Sequence, residues 1–148
     1  MGLFNKLSAA RKQSQVTLGP AEAFAAITLI AVASDGYVAD AEVQVVSVAL
    51  SRMKLFNSYP NDVMRKMFDR LLGIMERQGV NVLLNAAVAA LPHDLQETAF
   101  TVATDIVLAD GEVTEEEATL LNSLCHALEI SEDIAVKIVD VMLIKNRG

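Results

Sequence analysis

The chain has 148 residues, of which 53% are hydrophobic and 5% aromatic, with a formal net charge of −7 and a single cysteine. That length suffices for one domain with a full core, and the acidic balance argues against general nucleic-acid binding. Cys125 stands alone, which excludes an internal disulfide and fits a reducing cytoplasm.

Residues 1–19 are expected to form an N-terminal arm or short helix, and 20–148 the main domain. Leu3, Phe4 and Leu7 share one face, with Lys6, Arg11 and Lys12 elsewhere. A frayed arm or a helix docked on the body is favoured over weak attachment to an anionic membrane surface. No small-residue cleavage site follows the basic residues, and Lys6 stands where a myristoylation signal takes Ser or Thr.

Gly19-Pro20 marks a helix start, because Pro suits the first turn. The spacing predicts a helix over 20–34 that is apolar nearly all round. Its apolar run, bounded by Glu22 and Asp35, is about half the roughly 20 residues of a membrane span, so it reads as a central buried helix. Asp35-Gly36 is a turn signal, followed by a helix over 39–54. Asn57, Ser58, Pro60 and Asn61 break the pattern. A helix over 61–77 carries Val63, Met64, Met67, Phe68, Leu71, Leu72 and Met75 at helical spacing, and its methionines read as adaptable core. Gly79 separates it from a helix over 80–91. Pro92 opens a helix over 93–109, and Asp110-Gly111 makes a second turn. Further helices cover 115–129 and, capped by Ser131, 131–145. No segment alternates in strand fashion. The expected fold is all-α: a single-domain bundle of about seven to eight helices.

One stretch is written twice. Asp35-Gly36-x-Val38-x-x-x-Glu42 recurs as Asp110-Gly111-x-Val113-x-x-x-Glu117, and the 75-residue offset holds without a gap from Ile27/Val102 to Leu55/Ile130. This predicts two helix–turn–helix repeats related by a local two-fold. At 3.6 residues per turn, Asp35 continues the row of Ile27 and Ala31, and Asp110 that of Val102 and Ile106. Glu42 lies on the row of Val45, Val46, Ala49 and Met53. Glu117 lies on that of Leu120, Leu121, Leu124 and Leu128, while Glu115 and Glu116 face water. All four acids thus extend inward rows.

A carboxylate aimed at a core needs compensation. Free backbone N–H groups at a helix start, a Lys or Arg from the mildly basic 52–77 stretch, or a divalent cation would each supply it. Oxygen-only ligands suit calcium, magnesium or manganese better than zinc. Thr114-x-x-Glu117 is also a capping box, and Ala39 replaces the cap hydroxyl in the first copy. On residues alone capping and metal readings both stand, with capping slightly ahead. The spacing is not that of an EF-hand. Arg77 to Lys137 is free of intervening Lys and Arg, so an acidic half faces a basic one, which suits a cation or a basic protein partner.

An enzyme is the least supported class. Cys125 and His126 are neighbours that point about 100° apart on a helix, His93 reads as a solvated helix start, and no phosphate loop, Ser-His-Asp set or zinc spacing occurs.

The doubled frame, the Leu128-Glu-Ile-Ser-Glu-Asp133 segment and the Met1-Gly2-Leu3-Phe4 arm resemble the tellurite-resistance TerB family over roughly Pro20 to Ile144. The second motif is a full match, and the first departs at Ser34 and Ala39. The resemblance implies an all-helical domain without catalytic chemistry that binds a divalent cation, calcium before magnesium or manganese. It implies work in the cytoplasm at the inner face of the membrane, with integral membrane protein partners, in resistance to tellurite and other stresses. Similar domains stand at the front of a membrane-anchored cochaperone. Carried over by position, the metal residues are Asp35, Glu42, Asp110 and Glu117, and the resemblance tips the balance to the metal reading. The alternative is a metal-free protein-interaction scaffold with an acidic face.

Overall fold

A computed structural model describes residues 16–33 and 38–148. The expected arm therefore lies, up to residue 15, outside the described residues, as does the Asp35-Gly36 turn. The described residues form seven α-helices and two 3-10 turns, with no strand. These are α1 (Pro20–Val32), α2 (Asp40–Ser51), a 3-10 turn (Lys54–Phe56), α3 (Asn61–Gln78), α4 (Val80–Ala90), a second 3-10 turn (His93–Leu95), α5 (Gln96–Val107), α6 (Glu115–Ala127) and α7 (Glu132–Lys145).

Helix α1 is the axis of the bundle. It begins with Pro20 at its first position, and Glu22 Oε1 accepts a hydrogen bond from the Gly19 N–H at 3.0 Å. Every residue from Ala23 to Ala31 is buried. Such all-round apolarity belongs to a helix enclosed by others, and α2, α3, α4 and α5 all pack on it. Each fully buried Leu, Ile or Phe contributes roughly 1.5–3 kcal/mol, so Phe24, Ile27 and Leu29 are among its main anchors. Thr28, on α1, and Thr104, on α5, are the buried polar side chains of this core. Their hydroxyls donate to Ala25 and Phe100 carbonyls, each at 2.7 Å, so neither is left unsatisfied.

A shift of 75 residues places α1 on α5 and α2 on α6 to within one residue at each end. The packing repeats too: α1 holds α2 and α3, and α5 holds α6 and α7. The copies diverge at Lys54. There the first copy forms the 3-10 turn, pinned to α1 by the edge-to-face contact of Phe56 with Phe24, 6.3 Å between ring centroids, while Tyr59 packs edge-to-face on Phe56 at 5.5 Å. The second copy instead closes α6 tightly. The Ile130 N–H donates to the Cys125 carbonyl and the Glu129 N–H to the His126 carbonyl, with Glu129 at φ 55°. This is a Schellman closure with a non-glycine residue in the left-handed position.

Several helix limits differ from the sequence reading, among them the ends expected at 34 and 129, which fall at Val32 and Ala127. The helix expected over 39–54 ends at Ser51. The one expected from His93 starts at Gln96, behind a 3-10 turn, and its far end is Val107 rather than Ala109.

Candidate functional site

The site grows from two helix starts. Glu42 is the third residue of α2, and its Oε1 accepts from the Ala39 N–H at 3.0 Å. Glu117 is the third residue of α6, and its Oε1 accepts from the Thr114 N–H at 3.0 Å. In the second copy the Glu117 N–H donates back to Thr114 Oγ1 at 3.1 Å, which completes the capping box. Ala39 has no acceptor to return, so the first copy keeps half of it. Of the three expected compensations, backbone N–H groups are therefore the observed one. Among the described residues neither glutamate is ion-paired, and Arg70, from the basic stretch, instead pairs with Glu22 and donates to the Thr17 carbonyl.

Both glutamates are half-buried and border one pocket of about 420 Å³. Its walls are the C-terminal ends of α1 and α5, through Ala31, Val32, Ile106 and Val107, and the first turns of α2 and α6. Glu116 lies on its rim and is exposed, as expected. Each glutamate places one oxygen in the cap, and the second has no hydrogen-bond partner among the described residues. The pocket is thus bordered by one capped acid from each repeat.

Asp110 behaves differently. It is exposed, and its Oδ1 accepts from the Glu112 N–H at 3.1 Å. The row through Val102 and Ile106 does not reach it, because α5 ends at Val107 and helical periodicity stops there. Asp35 lies outside the described residues. Among the described residues no three His, Cys, Asp or Glu side chains stand close enough to hold one ion. Toward a divalent cation the described residues thus offer two carboxylates bordering one pocket, to which water and further oxygens would have to be added.

The second Asp-Gly turn is built tightly. Gly111 has φ 79°, and a Cβ there would lie 2.9 Å from the Asn146 carbonyl oxygen. Glycine is needed on both counts. Asn146 in turn donates through Nδ2 to Asp105 Oδ1 at 3.0 Å, and Lys145 Nζ reaches the same oxygen at 3.1 Å. The turn beside the pocket is thereby held against the end of α7.

Cys125 and His126 do not assemble into a reactive pair. The Cys125 thiol donates to the Ile130 carbonyl at 3.1 Å, and His126 is exposed. Partial burial pushes the thiol pKa up, and the Glu132 carboxylate adds to the shift; reactive thiols are shifted the other way. His93 is exposed, as expected of a solvated helix start.

One feature escaped sequence reasoning. A groove of about 590 Å³ runs between α2 and α3, bordered by Asp40, Val43, Val48, Arg65, Phe68 and Asp69. Although α2 is apolar on more than one face, only its Val46 and Leu50 are buried, which leaves the groove beside it open.

Neither a curated protein nor a solved structure matches the chain. A family model does: that described as "Tellurite resistance protein TerB" matches residues 21–138. The match takes in all of α1 after its first residue, both capped glutamates, the second Asp-Gly turn and half of α7, so the chain belongs to the TerB family of tellurite resistance proteins.

Proposed function

We propose that this protein is a non-enzymatic module of a tellurite-resistance or related stress system that holds a divalent cation between its two repeats. The observation that carries the reading is the pocket shared by Glu42 and Glu117, each with one carboxylate oxygen outside its helix cap. Asp35 and Asp110 stand at matching places in the two motifs, but Asp110 is exposed and joins no three-acid group among the described residues, so this reading rests on Glu42 and Glu117. Oxygen ligands favour calcium, then magnesium or manganese. A bound ion would neutralise the two acids and tie the starts of α2 and α6 together. The described residues include no helix long and apolar enough to cross a membrane. In this reading the protein works in the cytoplasm, and any role at the inner membrane face runs through integral membrane partners.

Calorimetric titration with calcium, manganese and magnesium tests this. Glu42→Gln with Glu117→Gln keeps an amide oxygen for each cap bond and removes both charges. The parent should bind and the double variant should not. Absence of binding up to millimolar ion, or binding unchanged in the double variant, overturns the proposal.

A second reading, a metal-free interaction scaffold, is favoured by the α2–α3 groove, whose mixed apolar and charged walls suit an amphipathic helix. It predicts partner binding that survives chelator and weakens with salt. Loss of binding on adding chelator counts against it.

A further inference from the structure

We infer that the outer face of α7 pairs with the same face of a second copy, antiparallel about a two-fold axis. The residues Ile134, Lys137, Val141 and Ile144 fall at the i, i+3, i+7, i+10 spacing of a two-heptad seam. All four are exposed, with Ile134 at 38%, Val141 at 54% and Ile144 at 59%. The opposite side of the helix, through Ala135, packs on α5, so this face is left without a neighbour inside the described fold.

The charges on this face indicate what covers it. Lys137 and Asp140 are both exposed, and neither has an ion-pair partner among the described residues. An antiparallel pairing centred at Val139 sets Ile134 opposite the partner's Ile144, and Lys137 opposite the partner's Val141. Lys137 then lies beside the partner's Asp140, and the two-fold makes the same pair again on the other side. A surface carrying both an apolar seam and its own counter-charge is self-complementary, which is the requirement of an isologous contact. The 14-residue helix is about 21 Å long, too short for the area of a permanent interface. The dimer therefore exchanges with monomer, with a midpoint between roughly 10 µM and 1 mM.

Sedimentation equilibrium of the full chain across that range tests the inference, with circular dichroism to confirm that each variant keeps its helix content. The parent should show a reversible monomer–dimer equilibrium. Val141→Glu should abolish it. Lys137→Asp alone and Asp140→Lys alone should each weaken it on the order of tenfold, because every reversal creates two like-charge contacts. The double reversal, Lys137→Asp with Asp140→Lys, should restore the parent's association. A parent monomeric throughout, a dimer indifferent to Val141→Glu, or a double reversal no better than the singles would each overturn it.

Discussion

Gly111→Ala is the substitution whose cost can be worked most directly from the structure. Two terms add. The residue sits at φ 79°, and a left-handed backbone costs a residue with a Cβ roughly 1–2 kcal/mol. The new Cβ would also stand 2.9 Å from the Asn146 carbonyl oxygen. That neighbour is backbone, fixed by the Asn146 N–H to the Met142 carbonyl and by its side chain to Asp105. Forcing such a contact apart typically costs about 1–3 kcal/mol. The sum, about 2–5 kcal/mol, is a large part of the roughly 5–15 kcal/mol that holds a domain folded. At 3 kcal/mol the melting temperature falls by roughly 6–12 °C for a chain of this size. The chain has no tryptophan, so urea unfolding is followed by far-ultraviolet circular dichroism. The two terms separate in a chain ending at Lys145, where the opposing carbonyl is gone. There Gly111→Ala should cost only the backbone term. An equal cost in both backgrounds would refute the contact between the turn and the end of α7 as the source of strain.

Three further predictions concern the same supports. Glu129 holds φ 55° in the closure of α6, so Glu129→Gly should stabilise the fold by roughly 1 kcal/mol, read as a higher urea midpoint at unchanged slope. Ala39 has extended backbone angles, φ −71° and ψ 153°, at the start of α2. Ala39→Ser should therefore supply the missing cap and stabilise by about 0.5–1 kcal/mol, while Thr114→Ala should destabilise by about 1 kcal/mol. The raised thiol pKa of Cys125 favours the protonated form in the folded state. Its stabilising effect is full below the usual thiol pKa and is lost as pH rises through the raised one. Alkylation at pH 8.5 should accordingly be slow in the folded protein and fast in urea; equal rates would contradict the burial.

The helices could be read from the chain because local signals agree with the fold. Gly19-Pro20, Ser131 and Thr114-x-x-Glu117 mark real helix starts, and the apolar run from Ala23 is the buried axis. The errors come where a helix ends, since the row from Val102 through Ile106 carries to Asp110 only if α5 continues. The turn stops it at Val107 and exposes the acid. Val45 shares a row with Glu42 but is 54% exposed, because α2 touches the bundle along a narrow strip and helical spacing alone does not say how wide that strip is. The groove beside α2 was hidden for the same reason: it depends on how far α3 stands from α2, which only long-range packing decides. Glu42 and Glu117 border one pocket because the doubled motif sets two like helix starts beside the ends of two packed helices.

The central claim is that one ion site is shared by both repeats. Titrating manganese into isotope-labelled protein, while following paramagnetic broadening of backbone amides, tests it most directly. The account predicts that amides around Ala31–Val32 with Glu42, and around Ile106–Val107 with Glu117, broaden together at the same substoichiometric manganese. Broadening at one turn only, or spread evenly over the exposed acids, would contradict it.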